Sequence, residues 1–212
     1  MSDLNENKKL NTTDEIDTEA TAEKPTKRRF SDFIDYVELF VFAVCVVMLL
    51  FSFVFRTCNV DGDSMNNTLF DKETLIISDL AYTPKRGDIV VFHQTGTVNM
   101  PLVKRVIGVG GDTVTVNVNT WEVSVTDSNG NVVELDEAYI HIDEHRVHQL
   151  AYKNNGVHTF VVPDGTVFVL GDNRNNSMDS TDMYNVGYVD CDRILGKVIF
   201  RISPLSRLGT VD

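Results

Sequence analysis

The feature that most constrains this 212-residue chain is an uninterrupted apolar run near its N-terminus. Leu39 to Phe55 reads LFVFAVCVVMLLFSFVF, which contains no charged residue and only one polar side chain, Ser52. As a helix rising about 1.5 Å per residue, the run would extend roughly 25 Å, slightly less than the ~30 Å hydrocarbon core of a bilayer. Because no polar face interrupts it, the pattern favours a membrane anchor over a buried helix of a soluble core.

The flanks of the run predict its orientation. Four basic residues lie between positions 24 and 29, whereas only Arg56 follows closely, so the positive-inside rule places the N-terminus in the cytoplasm and residues 57–212 outside. A cleaved signal peptide is the main alternative. However, the run exceeds the usual ~7–15-residue apolar region, and no small-residue cleavage site follows it. We therefore expect an uncleaved, single-pass anchor at residues 32–56.

Charge separates the remaining chain into two parts. Residues 1–31 begin with an acidic, polar stretch that has few large apolar side chains and end in the basic flank, which predicts a disordered cytoplasmic tail. Residues 57–212 hold 12 basic and 21 acidic residues and are predicted to form the outer domain. This acidic balance does not provide the basic face that nucleic-acid binding needs, so nucleic acid is not an expected partner.

The outer domain is predicted to be mostly β, with antiparallel sheets. Thr113–Val118 alternates between polar and apolar residues, as a half-buried antiparallel strand does. Turn signals such as Arg86-Gly87-Asp88 and Asn129-Gly130 separate the β-rich runs. The predicted strands are Leu75–Ile77, Ile89–Phe92, Leu102–Ile107, Thr113–Val118, Glu122–Val125, Phe160–Val162, Val167–Leu170 and Lys197–Ile202.

Three short clusters carry side chains that could take part in catalysis. Gly62-Asp63-Ser64-Met65 follows the anchor and, taken alone, is more typical of a turn than of a nucleophile. In the strand Leu102–Ile107, alternation puts apolar neighbours on the face of Lys104, and desolvation there would lower the lysine pKa. On the pattern alone, however, an edge-strand lysine that blocks aggregation is the favoured interpretation. The polar stretch Gly171–Ser180 is either an elaborate surface loop or the support of an active site.

Two other groups of residues are weaker candidates. His141, His145 and His148 match no metal-ligand spacing, so a solvated loop is favoured and no metal or cofactor is expected. Cys58 and Cys191 would both lie outside the membrane, where a disulfide is chemically possible, but two unpaired thiols are the favoured interpretation.

Taken in order, the motifs resemble those of bacterial type I signal peptidase, a membrane-bound Ser/Lys protease that removes signal peptides from exported proteins. The resemblance covers about residues 39–200. Its ordered elements are the anchor, Gly62-Asp63-Ser64-Met65-Asn66-Asn67-Thr68-Leu69, Arg86-Gly87-Asp88-Ile89-Val90-Val91-Phe92, Lys104-Arg105-Val106-Ile107-Gly108, Gly111-Asp112 and Gly171-Asp172-Asn173-Arg174-Asn175-Asn176-Ser177.

The resemblance implies a role for each of five residues. Ser64 matches the nucleophile, whose backbone N–H would contribute to the oxyanion hole, and Lys104 matches the general base. Ser177 matches a serine that orients the lysine amine, and Asp179 matches a supporting acid. Met65 matches a residue that lines the site near the membrane surface. The implied fold is a mostly antiparallel β structure that is also found in self-cleaving repressor-type proteases.

The chain departs from the family pattern in four places. Asn67 stands where Pro is usual, and Gly62, as in the Gram-positive variant, replaces a serine and leaves the second oxyanion donor unassigned. Thr181 replaces an arginine that would pair with Asp179, so we expect a loosely held Asp179 and a modest gain in stability or activity from Thr181→Arg. The segment Thr181–Val186 is also longer than usual.

The expected function is membrane-anchored cleavage of signal peptides from exported preproteins, after small residues at the first and third positions before the scissile bond. The expected partners are these preproteins and the lipid bilayer. Three alternatives remain: a peptidase for a narrow set of surface proteins, a self-cleaving repressor-like protease, and an anchored β-domain that binds partners without catalysis. The anchor disfavours the repressor-like alternative, and the distance from Ser64 Oγ to the Lys104 amine tests the dyad.

Overall fold

The computed structural model describes residues 25–94, 100–135, 137–142 and 156–211. The chain divides after Val47 into two compact units. Most of the predicted cytoplasmic tail, residues 1–24, lies outside the described residues.

The predicted anchor coincides with a long helix. Helix α1 (Pro25–Val54) has 30 residues, and its side chains from Asp32 to Leu49 are exposed, including the apolar ones. When the described part of the chain is searched, none of its helices has both the length and the hydropathy of a membrane span.

The strands that follow α1 form two antiparallel sheets, as predicted. The strands are β1 (Arg56–Asn59), β2 (Thr74–Ser78), β3 (Ile89–His93), β4 (Pro101–Val109), β5 (Thr113–Asn117), β6 (Val123–Thr126), β7 (Val132–Val133), β8 (Val157–Val161), β9 (Thr166–Leu170), β10 (Val189–Asp190), β11 (Ile194–Ser203) and β12 (Gly209–Thr210). Two short 3₁₀ helices, Cys191–Arg193 and Leu205–Arg207, flank β11. The eight predicted strands all form, each within a few residues of its expected ends.

Four strands were missed by the sequence prediction because they are too short to show an apolar or alternating run. They are β1, β7, β10 and β12, each two to four residues long. The polar sequence of β1, Arg-Thr-Cys-Asn, becomes a strand through pairing with β2, in which Cys58 lies opposite Leu75. Such strands are specified by their partners rather than by their own composition.

The large sheet has the order β1-β2-β11-β3-β4-β9-β10, with β12 added to β11, and the small sheet has the order β7-β6-β5-β8. Strand β4 pairs with β3 from Pro101 to Arg105 and with β9 from Arg105 onward. Lys104 is only 2% exposed, so the interpretation of an edge-strand lysine that blocks aggregation is wrong. Val90 lies directly opposite Lys104, and Val106 shares its face. In the small sheet, Val114 and Val116 are fully buried, which confirms the predicted half-buried strand.

Candidate active site

Ser64 lies on a tight turn between β1 and β2. Gly62 has φ +89°, a conformation that favours glycine, and its N–H donates to Asp71 Oδ1 at 2.9 Å. The Leu69 N–H donates to the Met65 carbonyl at 2.8 Å. Both Met65 and Leu69 are buried in the apolar core, so the turn is held on each side of the serine by packing and by backbone hydrogen bonds.

Lys104 reaches this turn from β4. Its side chain is buried, with 2% of the residue exposed, and Nζ donates to Ser64 Oγ at 2.7 Å and to the Val103 carbonyl at 2.9 Å. The structure therefore brings together the two residues that the resemblance pairs, although they are separated by 40 positions in the chain. His93, another side chain that can act as a base, is the last residue of β3 and lies opposite Pro101.

The surroundings of Lys104 favour a neutral amine. Burial lowers the pKa of Lys104 to about 8, although the negative charges of Asp179 and Asp172 act in the opposite direction. Once the ammonium has lost a proton, the contact with Ser64 can reverse, so that the serine hydroxyl donates to the lysine nitrogen. This arrangement is the one required for proton abstraction from a serine.

Asp179 is held firmly, which corrects the expectation from the missing arginine. Its Oδ1 accepts hydrogen bonds from the Thr181 hydroxyl at 2.6 Å and from the Thr181 N–H at 3.1 Å. Its Oδ2 accepts one from the Gly171 N–H at 3.1 Å. Thr181 is 2% exposed, so its short side chain fits where an arginine would have to displace the core. Thr181→Arg is therefore not expected to raise stability or activity.

Ser177 lies beside the site without the bond that the resemblance implies. Its Oγ is buried and has no hydrogen-bond partner within the described residues, so in this structure it does not bond to Lys104. Gly171 explains how closely the loop approaches the nucleophile, because a Cβ added there would overlap both Ser177 and the Ser64 carbonyl. Met65 is 1% exposed and packs with Leu69 in the core, rather than on an open surface.

Sequence reasoning missed an ion pair that joins the base strand to the polar loop. Arg105 Nε and Nη2 donate to the two carboxylate oxygens of Asp172, each at 2.9 Å, and both side chains are buried. The Arg105 guanidinium also stacks on the Tyr139 ring at 3.9 Å. The dense polarity of residues 171–180 was the available signal, but the pairing depends on the β4–β9 register, in which Arg105 lies opposite Leu170.

The loop that contains Asp172 also holds the backbone at the serine. The Asn173 N–H donates to the Ser64 carbonyl at 3.0 Å, and Asn173 Nδ2 donates to the Asp63 carbonyl at 3.0 Å. The orientation of Ser64 is thus set by its own turn and by the loop at Asn173, which are more than 100 residues apart in the chain.

Among the weaker candidates, the structure describes His141, Cys58 and Cys191. His141 joins the 171–174 loop through its backbone, while His145 and His148 fall outside the described residues. A search of the described ranges finds no group of side chains arranged to hold a metal ion. Cys58 and Cys191 are free thiols, as favoured from the sequence.

Comparisons with known proteins show which family the chain resembles. The family model described as "Signal peptidase, peptidase S26" matches residues 33–203. Signal peptidase I of Bacillus licheniformis is 34% identical over 196 residues, which cover 91% of this chain and 100% of that protein. Signal peptidase I T of Bacillus subtilis (strain 168) is 33% identical over 190 residues, 88% of this chain and 93% of that protein.

A solved structure is also similar. The crystal structure of a signal peptidase I from Enterococcus faecalis V583 aligns with 55% of this chain and 97% of that chain, at 27% identity and a TM-score of 0.38. Because this TM-score is low, the family assignment depends on the sequence matches.

Proposed function

Because this chain belongs to the signal peptidase S26 family, whose signal peptidase I enzymes cleave signal peptides from secreted preproteins, we propose that Ser64 is the nucleophile of that cleavage and Lys104 its general base. The observation that carries this proposal is the 2.7 Å contact between Ser64 Oγ and the amine of a buried lysine. Within the described ranges no carboxylate contacts the Lys104 amine directly. A buried lysine in this situation is costly in a folded protein, and a role in proton transfer accounts for it.

The reaction follows from this contact. Neutral Lys104 accepts the hydroxyl proton while Ser64 Oγ attacks the scissile carbonyl carbon, and the carbonyl oxygen becomes an oxyanion near the Ser64 N–H. Lys104 then donates the proton to the amine of the leaving polypeptide as the peptide bond breaks, which leaves an acyl-enzyme. A water molecule attacks this ester while Lys104 accepts one of its protons. The bond between the acyl carbon and Ser64 Oγ then breaks, the cleaved signal peptide leaves with a free carboxyl group, and Lys104 returns the proton to Ser64 Oγ.

Supporting roles for Ser177 and Asp179 belong to the same proposal. The unpartnered Ser177 hydroxyl is available to hydrogen-bond the lysine amine after a rotamer change. Asp179 supports the loop that bears Ser177, and its charge moderates the fall in the lysine pKa. The Gly62 N–H is already bonded to Asp71, so it does not supply the second oxyanion donor in this structure.

The sheet geometry supports an extended substrate beside Ser64. Strand β9 pairs with β4 only from Arg105 onward, so among the described residues the β9 side of Pro101–Lys104 has no partner strand. An extended peptide added to this edge would present alternate side chains to the enzyme. Recognition of small residues at the first and third positions before the scissile bond fits this alternation.

The membrane part of the proposal places the anchor at residues 32–56, the N-terminus in the cytoplasm and residues 57–212 outside a bacterial cell. The apolar run and the exposed apolar side chains of α1 support this arrangement. Signal peptides reside in the same membrane, so tethering raises the effective concentration of substrate at the active site.

Two substitutions test the dyad in the purified full chain with a preprotein as substrate. Ser64→Ala should abolish cleavage, as should Lys104→Arg, because a guanidinium keeps its proton. Lys85→Arg changes an exposed lysine outside the site and should keep parent activity. Near-parent cleavage by folded Lys104→Arg would remove the lysine from its role. Mass spectrometry of a preprotein mixture would also separate a general peptidase from one with a narrow substrate set.

A further inference from the structure

A buried carboxylate and two arginines hold the turn that carries Ser64. Glu73 immediately precedes β2 and is 2% exposed. Its Oε1 accepts a hydrogen bond from Arg207 Nη1 at 2.8 Å, and its Oε2 accepts one from Arg201 Nη1 at 3.2 Å. These three side chains, the Glu73–Arg201–Arg207 cluster, join the start of β2 to β11 and to the C-terminal 3₁₀ helix.

Both arginines of this cluster also donate to one backbone carbonyl. Thr68 O accepts from Arg201 Nη1 at 3.1 Å and from Arg207 Nη2 at 3.2 Å. Arg201 Nε donates to the Arg207 carbonyl at 2.6 Å, so the two arginines are also tied to each other. Hydrogen bonds from charged donors are stronger than neutral ones, so this carbonyl is held more firmly than one in an ordinary turn.

Thr68 is held from a second direction through its side chain. Its hydroxyl donates to Asp172 Oδ2 at 2.5 Å, and Asp172 forms the bidentate ion pair with Arg105, the neighbour of Lys104 in β4. One residue, four positions after Ser64, is thus connected both to the strand of the base and to the C-terminal segment.

We propose that the Glu73–Arg201–Arg207 cluster positions Ser64 for proton transfer to Lys104 by holding Thr68 in place. Glu73, Arg201 and Arg207 are positioning residues, since they act through Thr68. The arginine fork suits this role because one guanidinium can reach a carboxylate and a carbonyl at once, which a single ammonium cannot do with the same geometry. The inference rests on the proposed role of Ser64 as nucleophile.

The test compares Arg207 variants of the purified full chain in preprotein cleavage. Arg207→Gln should lower kcat by about 10- to 100-fold with KM unchanged, because a displaced nucleophile slows the chemistry without affecting substrate binding. Arg207→Lys, which can keep one of the two contacts, should fall between this variant and the parent. The pH at half-maximal kcat/KM should stay the same, since the burial of Lys104 is untouched. Arg193→Gln, which removes only an exposed ion pair with Asp190, is the matched control.

A double substitution separates positioning from general loss of stability. Thr68→Val removes the tie to Asp172, and if both ties act on the placement of Thr68, Thr68→Val with Arg207→Gln should lose less kcat than the product of the single losses. The proposal is overturned by full kcat in Arg207→Gln below its unfolding temperature, by a loss confined to KM, or by single losses that multiply. If Arg207→Gln fails to fold, Arg207→Lys combined with Thr68→Val applies the same criteria.

The two proposals can fail separately. Cleavage by Ser64→Ala would reject the nucleophile itself and with it the positioning role. An inactive Ser64→Ala together with a fully active, folded Arg207→Gln would reject only the positioning role.

Discussion

At the scale of single residues, Lys104 sets the pH dependence of cleavage, because burial lowers the pKa of its amine to about 8. A general base must be neutral, so kcat/KM for a preprotein should rise about tenfold per pH unit below pH 8 and level off above it. The pH–rate profile of the purified full chain measures this directly. A rate that stays flat between pH 6 and pH 8 would contradict it.

The same burial makes Lys104 costly to the fold, and Lys104→Met provides the matching stability measurement. A lysine in the unfolded chain keeps its usual pKa of 10.5, so between about pH 8 and pH 10.5 the folded protein binds fewer protons than the unfolded one. The free energy of unfolding therefore rises with pH across this range. The destabilisation that the buried lysine causes is largest at pH 8 and below, and it disappears as the pH rises to 10.5. At pH 7, Lys104→Met should stabilise the fold by up to about 3 kcal/mol while abolishing cleavage. Chemical unfolding at pH 7 and pH 10 should show this gain shrinking at the higher pH.

At the scale of elements, the buried carboxylate of Asp179 is one of the supports of the loop from Gly171 to Thr181. Thr181→Val keeps the shape of the side chain but removes the hydroxyl that donates to Asp179. The buried carboxylate then keeps only its backbone donors, which should lower the free energy of unfolding by about 1–3 kcal/mol in urea titration.

Two further substitutions at position 181 test whether the lost stability comes from the missing hydroxyl donor. Thr181→Ser retains the donor and should lie closer to the parent in stability. Thr181→Arg should also destabilise, because the site is buried and has no room for the longer side chain. A stabilised Thr181→Arg would mean that the loop can open to accept the ion pair.

For the whole molecule, the testable quantity is topology. Protease added to sealed protoplasts should digest residues 57–212 and leave an epitope on the N-terminal tail intact, because the basic flank of the anchor favours the cytoplasmic side. Detergent-lysed cells serve as the control in which both parts become accessible. Loss of the N-terminal epitope in sealed cells would reverse the proposed orientation.

The sequence by itself determined the elements and the candidate residues. Eight strands were predictable because alternation and turn residues such as Gly87 and Gly130 act locally in the chain. Ser64 and Lys104 were identified through the ordered motifs, and the apolar neighbours of Lys104 already indicated a lowered pKa. Strands such as β1 and β12 were not predictable, since their residues become strands only through pairing with β2 and β11.

Only the tertiary structure decided how these elements meet. Strand order places β11, from the end of the chain, between β2 and β3, and no local pattern encodes that pairing. The register of β4 against β9 brings Arg105 to Asp172, and the placement of β11 beside β2 brings the arginines of the C-terminal segment to Thr68. The tertiary structure also decided how Asp179 is held without an arginine at position 181. The Thr181 hydroxyl donates a hydrogen bond to it, which depends on the space and the donors around Asp179. Local chemistry selects the residues, whereas the distances between them follow from contacts among segments far apart in the chain.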